Sequence, residues 1–379
     1  MQKACVVTRR YSAGVTAALH LRRDEARRIA VRAAMLDGPA EVDSIDSVVH
    51  GLAMVRVELT NIVMPAADHV LYSRLGEAVR PGDAERALAS GRVWERLWML
   101  RPISHVGLFT AGMRTWLDRS GARAWVEANA DFRQSILDRI GDLGPLTSAD
   151  IPDEAVAPWP STGWTNDRNV TQMLECLHGA GELAVVGRAG RSRVWDLATN
   201  VLPPSVEVPR DEAARIRSEH LLAACGIMRD SIAVSPHELH GVVPVGEPAT
   251  IEGVPGRWRV DPAQLDRPFE GRTALLSPFD RLMTDKQRQL RLFDFDYGIE
   301  MYKPERLRRR GPFALPILHH DRFVGSVDAR ADRRAGTLTV HGVTEDEPFD
   351  TELRDAVDAE LQALARWLRL ELVVDARAG

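Results

Sequence analysis

Hydrophobic positions follow two different periods along the chain, and the change from one to the other predicts the order of helices and strands. Apolar residues at helical spacing alternate with charged ones in most of the first 230 residues. The predicted helices lie at 21–36, 43–52, 132–141, 166–181 and 211–225, with a final helix carrying the stripe Leu353, Val357, Leu361, Leu364 and Leu368. The shorter period of β-strands dominates beyond Thr273, where three strand candidates fall within 311–343.

The stretch GELAVVGRAGRSRVWDLA, residues 181–198, predicts a β-hairpin. Two short apolar segments flank Gly187-Arg188-Ala189-Gly190-Arg191, and a glycine-bearing turn between such segments is typical of hairpins. Because three helical elements precede this hairpin, the order is that of a winged helix. A fainter copy of the same order lies at 211–260.

The patterns together predict an α+β protein built of four domains. They are an N-terminal helical or winged-helix domain at 1–128, a winged helix with an arginine-rich wing at 129–204, a degenerate winged helix at 205–265, and a β-rich domain with a final helix at 266–379. Pro203-Pro204 and the segment VDPAQLDRPFEGR mark the linkers around the third domain.

Two charged residues interrupt the apolar run that follows the second predicted helix. In Met54-Val55-Arg56-Val57-Glu58-Leu59, the alternation of an extended chain places Arg56 and Glu58 on one face and their apolar neighbours on the other. One interpretation is an edge strand with a solvated charged face. The other is a polar pair held in a cleft.

Composition excludes several classes of protein but does not identify one. A chain of 379 residues with 45% hydrophobic and 27% charged residues is typical of a soluble globular protein with several cores. Neither a membrane-spanning run nor a secretory signal is evident, so a cytoplasmic, nucleoid-associated location is expected. The widely spaced Cys5, Cys176 and Cys225 do not suggest a zinc ribbon or a disulfide framework.

Charge is distributed unevenly, although the net charge is only −5. Residues 281–334 carry 13 Lys+Arg against 8 Asp+Glu, whereas residues 335–379 carry 4 against 10. The first of these segments could bind a polyanion. The candidate phosphate ligands are Arg188, Arg191 and Arg193 on the hairpin, and Lys303, Arg308, Arg309 and Arg310 in the basic segment. Solvated surface charge is the alternative for both groups.

Other motifs are weak. The histidines of HELH at 237–240 are only three residues apart and have no evident third ligand, so no metal site is predicted. GRAG at 187–190 lacks both the dinucleotide-binding spacing and a Walker lysine. Neither G-x-S-x-G nor a supported Cys/His arrangement occurs.

Several stretches resemble the winged-helix DNA glycosylases of the AlkZ and YcaQ type, which excise bulky or crosslinked N-alkylated purines. The longest is SPFDRLMTDKQRQLRLFDFDYGIEMYKPERLRRRGPFALPILHHDRFVGSVDARADRRAGTL, at 277–338. The others are TNIVMPAADHVLYSRLG at 60–76, RLWMLRPISHV at 96–106, and LECLHGAGELAVVGRAGRSRVWDLA at 174–198. The resemblance covers most of the chain.

The resemblance implies tandem winged helices around a DNA-binding cleft, a C-terminal β-rich element and a catalytic Gln-x-Gln or Gln-x-Asp pair. Arg56 and Glu58 occupy the position of that pair, so both are candidate catalytic residues. Glu58 can replace an aspartate, but Arg56 carries a fixed charge and has only donors, unlike glutamine. Asn61, Arg101 and His105, within or between these stretches, are further candidates for DNA binding. Neither a metal nor an organic cofactor is implied.

Three functions remain open at this point. The first is a monofunctional glycosylase acting as a monomer on alkylated or crosslinked double-stranded DNA. The second is a winged-helix DNA-binding protein without catalysis, either a lesion recogniser or a transcriptional regulator, which Arg56 favours. The third is a winged-helix scaffold for a protein or small molecule.

Overall fold

The computed structural model describes residues 18–38, 42–160, 168–230 and 242–375 of a mixed α/β protein. The helices are α1 (Arg23–Ala33), α2 (Ile45–Gly51), α3 (Ala66–Leu75), α4 (Asp83–Ala89), α5 (Gly107–Arg114), α6 (Trp116–Ser120), α7 (Arg123–Ala128), α8 (Ala130–Leu143), α9 (Asn169–Ala180), α10 (Ala198–Val201), α11 (Arg210–Cys225), α12 (Lys286–Phe293) and α13 (Thr351–Leu368). The strands are β1 (Leu19–Leu21), β2 (Val55–Arg56), β3 (Val93–Arg96), β4 (Met99–Pro102), β5 (Leu146–Thr147), β6 (Leu183–Ala189), β7 (Ser192–Leu197), β8 (Ile227–Arg229), β9 (Glu247–Ile251), β10 (Val254–Val260), β11 (Thr273–Leu275), β12 (Leu315–His319), β13 (Arg322–Asp332), β14 (Thr337–Glu345) and β15 (Glu371–Val374).

The first unit runs from α2 to β4 in the order helix, strand, helix, helix, hairpin. Its sheet is antiparallel with the order β2-β4-β3, so β2 is an edge strand. The hydroxyl of Ser44 accepts a hydrogen bond from the backbone N–H of Ser47 and caps α2, which sets where the helix begins. This helix ends only four residues before β2, and Arg56 therefore lies at a fixed place on the sheet edge.

The second unit runs from α8 to β7 and contains the predicted hairpin. β6 and β7 pair antiparallel, and β5 adds to the other edge of β7. α9 ends at Gly181, whose φ of 80° lies in the left-handed region that glycine adopts without strain. The predicted helix at 132–141 is confirmed as the longer α8.

The third unit differs from the prediction in which residues it contains. Its sheet has the order β1-β9-β10-β8, and β1 pairs parallel with β9. α1 packs against α11, α12 and β8. Residues 19–33 therefore pack with the third unit, and the domain bounds at 1–128 stay a prediction. Such a pairing spans more than 200 residues and leaves no local signal. The HELH motif at 237–240 lies outside the described residues.

The C-terminal region forms a five-stranded sheet, β11-β12-β13-β14-β15, in which only β14 and β15 are parallel. The three predicted strands are confirmed as β12, β13 and β14. The predicted stripe faces this sheet, with four of its leucine and valine residues buried and Leu368 partly buried. One large core joins the first two units to this sheet, and a second joins α1, the third unit and residues 274–297.

Candidate active site

Arg56 and Glu58 lie side by side at the edge of the first unit. Val57 extends the pairing of β2 by one residue, since its N–H donates to the carbonyl of Trp98 at 2.8 Å. The alternation predicted from sequence holds, because Val55 and Val57 are buried while the Arg56 and Glu58 side chains are each 25% exposed. Arg56 Nη2 lies 3.7 Å from Glu58 Oε2, which makes a long ion pair.

The carboxylate of Glu58 is oriented by the turn that follows it. Its Oε1 accepts from the backbone N–H of Thr60 at 3.2 Å and from the Thr60 hydroxyl at 3.1 Å. One carboxylate oxygen is thus held by two hydrogen bonds from Thr60, and the other faces Arg56. A partly exposed carboxylate in this state can accept a proton from water or stabilise a nearby cation.

Arg56 also lines a cavity of about 450 Å³ between the first unit, the third unit and residues 278–299. Its walls carry Met54, Met99, Met228 and Met283 together with the ring of Phe279. The Arg56 guanidinium lies 5.8 Å from the centre of that ring. Glu58 is not one of the lining residues, so Arg56 forms part of the cavity wall and Glu58 lies beside it. The volume is in the range of small-ligand pockets.

A buried ion pair fixes the wall that carries Phe279. Arg74 Nη2 donates to Asp280 Oδ1 at 3.0 Å and to the carbonyl of Ala34 at 2.8 Å, and both charged side chains are fully buried. Asp280 Oδ1 also accepts from the N–H of Leu282 at 3.1 Å. This segment is therefore tied to α3 and to the end of α1.

The three arginines of the β6–β7 hairpin have different environments. Arg191 is exposed at the turn. Arg188 forms ion pairs with Glu85, at 2.7 Å, and with Glu95. Arg193 is 5% exposed and lies 2.6 Å from Glu95. Of the three arginines predicted to bind phosphate, Arg191 is the exposed one, because the buried Glu95 holds Arg188 and Arg193.

The basic segment is divided in the same way. Arg310 is buried and forms an ion pair with Asp346 at 2.8 Å, so it is not available to a phosphate. Arg309 contacts the same carboxylate at 2.7 Å, but 63% of its side chain is exposed. Lys303 is exposed and pairs with Glu300 at 2.7 Å, and Arg308 Nε donates to the carbonyl of Lys303 at 3.0 Å. This region leaves Lys303, Arg308 and Arg309 as candidates.

Of the remaining candidates for DNA binding, only Asn61 is exposed. Arg101 is 2% exposed, with its guanidinium 4.6 Å from the centre of the Phe109 ring. His105 is buried against His220, with ring centres 4.4 Å apart, and burial lowers its pKa to about 3. Burial therefore limits the access of DNA to Arg101 and His105, whose role in DNA binding stays a prediction.

Two residues near the cavity were missed in the sequence. Arg281 lines the cavity and is 7% exposed. Tyr302 is 90% exposed beside Lys303, three residues after the cavity-lining Ile299. The proximity of an aromatic residue to a basic run was visible in the sequence, but burial and exposure were not.

No group of three or more His, Cys, Asp or Glu side chains lies close enough to hold a metal ion in the described ranges. Within those same ranges, no helix has both the length and the hydropathy needed to cross a membrane.

Two comparisons with known proteins agree with this architecture. The solved structure of the DNA glycosylase AlkZ from Streptomyces sahachiroi matches with a TM-score of 0.63, over 94% of this chain and 100% of that chain, at 16% sequence identity. At this identity the match establishes the shared fold. The family described as "DNA glycosylase AlkZ-like" matches residues 52–367, which include Arg56, Glu58 and most of the cavity. The chain therefore belongs to the AlkZ-like DNA glycosylase family.

Proposed function

We propose that the protein hydrolyses the N-glycosidic bond of bulky or crosslinked N-alkylated purines in duplex DNA, with Glu58 as its catalytic carboxylate. The observation that carries the proposal is the position of Glu58: it is partly exposed, oriented by Thr60, and beside a cavity wide enough for an extruded base. Family membership supports the glycosylase activity, and the size of the cavity supports the bulk of the substrate.

The proposed reaction needs one water and one carboxylate. As the bond between C1′ and the purine nitrogen breaks, its electron pair leaves with the base, and an alkylated, cationic purine becomes neutral. Glu58 stabilises the positive charge that develops on the sugar and accepts a proton from the water whose oxygen bonds to C1′. The products are a free base and an abasic site.

Arg56 has a positioning role in this scheme. Its long ion pair with Glu58 can hold the carboxylate in place, and its contact with Phe279 holds the guanidinium at the cavity wall. A positive charge so close to the sugar also opposes the transition state. This is why a second function stays open: a DNA-binding protein that recognises lesions without excising them, which the Arg56–Glu58 contact favours.

The interface with DNA is proposed to involve the three helix-and-hairpin units, acting as winged helices that surround the duplex. Their element order supports this, as do the exposure of Asn61, Arg191, Lys303 and Arg309 and the partial exposure of Arg308. Tyr302 is adjacent to Lys303, and an exposed aromatic ring beside basic side chains suits stacking on an unpaired base. In this proposal the protein acts on DNA as a monomer.

Excision from a defined duplex tests the proposal. Purified protein is incubated with DNA carrying one N7-alkylguanine, and abasic sites are then cleaved with alkali. We expect strand cleavage with the unmodified protein and a loss of about 10²-fold or more with Glu58→Gln, the scale of one well-placed electrostatic or acid–base group.

The binding affinity of both proteins for the same duplex is the control. Equal affinity with lost excision supports a catalytic Glu58. Binding without any excision by the unmodified protein supports the second function instead.

A further inference from the structure

Arg281 is a buried arginine with unsatisfied donors. It is 7% exposed, and its Nε and Nη2 have no hydrogen-bond partner among the described residues. Other buried arginines near the cavity are better satisfied: Arg74 pairs with Asp280, and Arg288 donates to the carbonyls of Cys225, Ile227 and Arg281. A buried guanidinium edge without an acceptor is costly, and because both atoms are covered in this structure, an acceptor reaches them only where the cavity wall moves.

The two unsatisfied atoms lie on one edge of the guanidinium. In arginine, the Nε–H and one N–H of Nη2 point the same way and match two oxygens of a phosphate or carboxylate. A phosphodiester presents two such oxygens. A cationic alkylated base cannot use this edge favourably, because it would face a like charge.

The backbone beneath this side chain is rigid. Arg281 begins the short 3-10 helix Arg281–Met283, which Asp280 caps. Its carbonyl accepts from the hydroxyl of Thr284 at 2.8 Å and from Arg288 at 3.1 Å. The structure thus fixes the main chain of Arg281, so that only its side chain needs to move to meet a ligand.

The cavity around Arg281 suits an anion with an apolar or aromatic body. Its apolar lining includes four methionines and Phe279, and among the described residues its charged lining side chains are Arg56, Arg281, Lys286 and Arg288 against one carboxylate, Asp285. Arg56 and Arg281 also line a neighbouring cavity of about 20 Å³. That volume holds about one oxygen-sized group between the two side chains.

We propose that Arg281 binds a DNA phosphate next to the nucleotide undergoing cleavage, while the base of that nucleotide packs on the methionine wall. The inference deepens the proposed function and rests on it for the identity of the polymer. The group that Arg281 would bind is a phosphate with an attached nucleoside. Because a free nucleotide carries the same group, the test distinguishes DNA from a free nucleotide.

The test uses the full chain and a duplex that cannot be cleaved at the lesion, with a tetrahydrofuran abasic analogue at its centre. Dissociation constants are measured for the unmodified protein, Arg281→Met, Arg281→Gln and the control Arg291→Gln, whose side chain is exposed nearby. We expect Arg281→Met and Arg281→Gln to weaken binding about 10-fold or more, because a bidentate charged contact is lost. Arg291→Gln should differ from the unmodified protein much less.

Thermal unfolding of the free proteins separates binding from a structural role. Removing an unsatisfied buried charge should leave the unfolding temperature unchanged or raise it in Arg281→Met. A lowered unfolding temperature together with unchanged DNA affinity would overturn the proposal.

Single methylphosphonate linkages identify the phosphate. One such neutral linkage, beside the analogue, should weaken DNA binding by the unmodified protein as much as Arg281→Met does. In the variant, the same linkage should cause no further loss of affinity. If every linkage gives the same loss in both proteins, Arg281 binds no particular phosphate and the proposal fails.

The free-nucleotide arm uses dGMP and inorganic phosphate. If either raises the unfolding temperature of the unmodified protein but not of Arg281→Met, while no methylphosphonate has an effect, the ligand is a free nucleotide and the DNA assignment is overturned. None of these readouts depends on excision, since the duplex has no base at the analogue. Failure of the glycosylase proposal would therefore be seen separately.

Discussion

Two clusters of arginine lie within the first 310 residues, and they differ in how their charge is compensated. On the β6–β7 hairpin, Arg188 and Arg193 surround the buried Glu95, and Glu85 and Glu175 complete the cluster. At the cavity, Arg56 has a long contact with Glu58, and Arg281 has unsatisfied donors. The hairpin arginines therefore join the first and second units, whereas Arg281 at the cavity has donors left for a substrate.

The comparison shows why an arginine-rich hairpin is a poor guide to DNA binding. Arg188 and Arg193 look like the tip of a wing in the sequence, but Glu95 lies 93 and 98 positions away and takes up both charges. Only Arg191 remains exposed. Burial and pairing, rather than local charge density, decide which arginines can meet a phosphate.

The largest effect is expected from breaking the hairpin cluster. Glu95→Gln keeps the shape of the side chain but leaves Arg188 and Arg193 without their shared carboxylate, so the free energy of unfolding should fall by about 3–5 kcal/mol. Chemical denaturation measures it. The matched control is Glu219→Gln, which removes an exposed pair with Arg215 and should cost less than about 1 kcal/mol. Equal small losses in both variants would show that the cluster is not structural.

The same cluster gives the stability a pH dependence through His178. Burial, together with the nearby charges of Arg193 and Arg96, lowers the pKa of this histidine to about 3. The unfolded chain binds a proton near pH 6.5 and the folded chain does not, so stability falls as the pH drops below about 6.5. Between pH 7 and pH 5 this group accounts for ~2 kcal/mol.

The measurement compares unfolding free energies at the two pH values. His178→Gln should remove about that much of the difference. A pH dependence that is the same in His178→Gln and in the unmodified protein would mean that this ring is not the group responsible.

At the cavity, Arg56→Gln separates an adapted enzyme from one that has lost catalysis. We expect excision to fall about 10-fold, because a charge that positions Glu58 is replaced by a shorter neutral amide. Arg56→Lys keeps the charge without the planar fork and should recover part of the loss. The opposite result, excision by Arg56→Gln and none by the unmodified protein, would favour a DNA-binding descendant of a glycosylase.

The smallest effect is expected at the surface of the basic segment, where Arg309 and Arg310 form a matched pair. Both contact Asp346, but only Arg309 is exposed. Arg309→Gln should lower DNA affinity a few-fold and flatten the slope of log affinity against log salt by about one unit. Arg310→Gln should change stability more than the salt slope. An unchanged slope for Arg309→Gln would remove this residue from the interface.

The sequence predicts local structure here better than it predicts the site. Periodicity located α8, α11, α13 and the β6–β7 hairpin, since each signal lies within the element itself. The pairing of β1 with β9 and the contact of Arg188 with Glu95 join residues far apart in the chain, and no local pattern carries them. The alternation around Arg56 and Glu58 was visible, but the cavity beside them needs walls from three separate regions.

Arg281 is a residue of the site that the sequence alone does not predict. In the sequence it is one of many arginines, next to an aspartate that looks like its natural partner. In the structure Asp280 pairs with Arg74, and Arg281 turns toward the cavity instead. Asp280 does not pair with its neighbour Arg281 because it pairs with Arg74 of α3, more than 200 positions earlier in the chain.

Detection of the released base is the most direct measurement of the central claim. A duplex with one N7-alkylguanine is incubated with the unmodified protein, and the small-molecule fraction is analysed by mass spectrometry before any alkali is added. We expect free alkylguanine in amounts equal to the abasic sites, with the DNA strand still intact. Protein that binds this duplex tightly but releases no free base would contradict it.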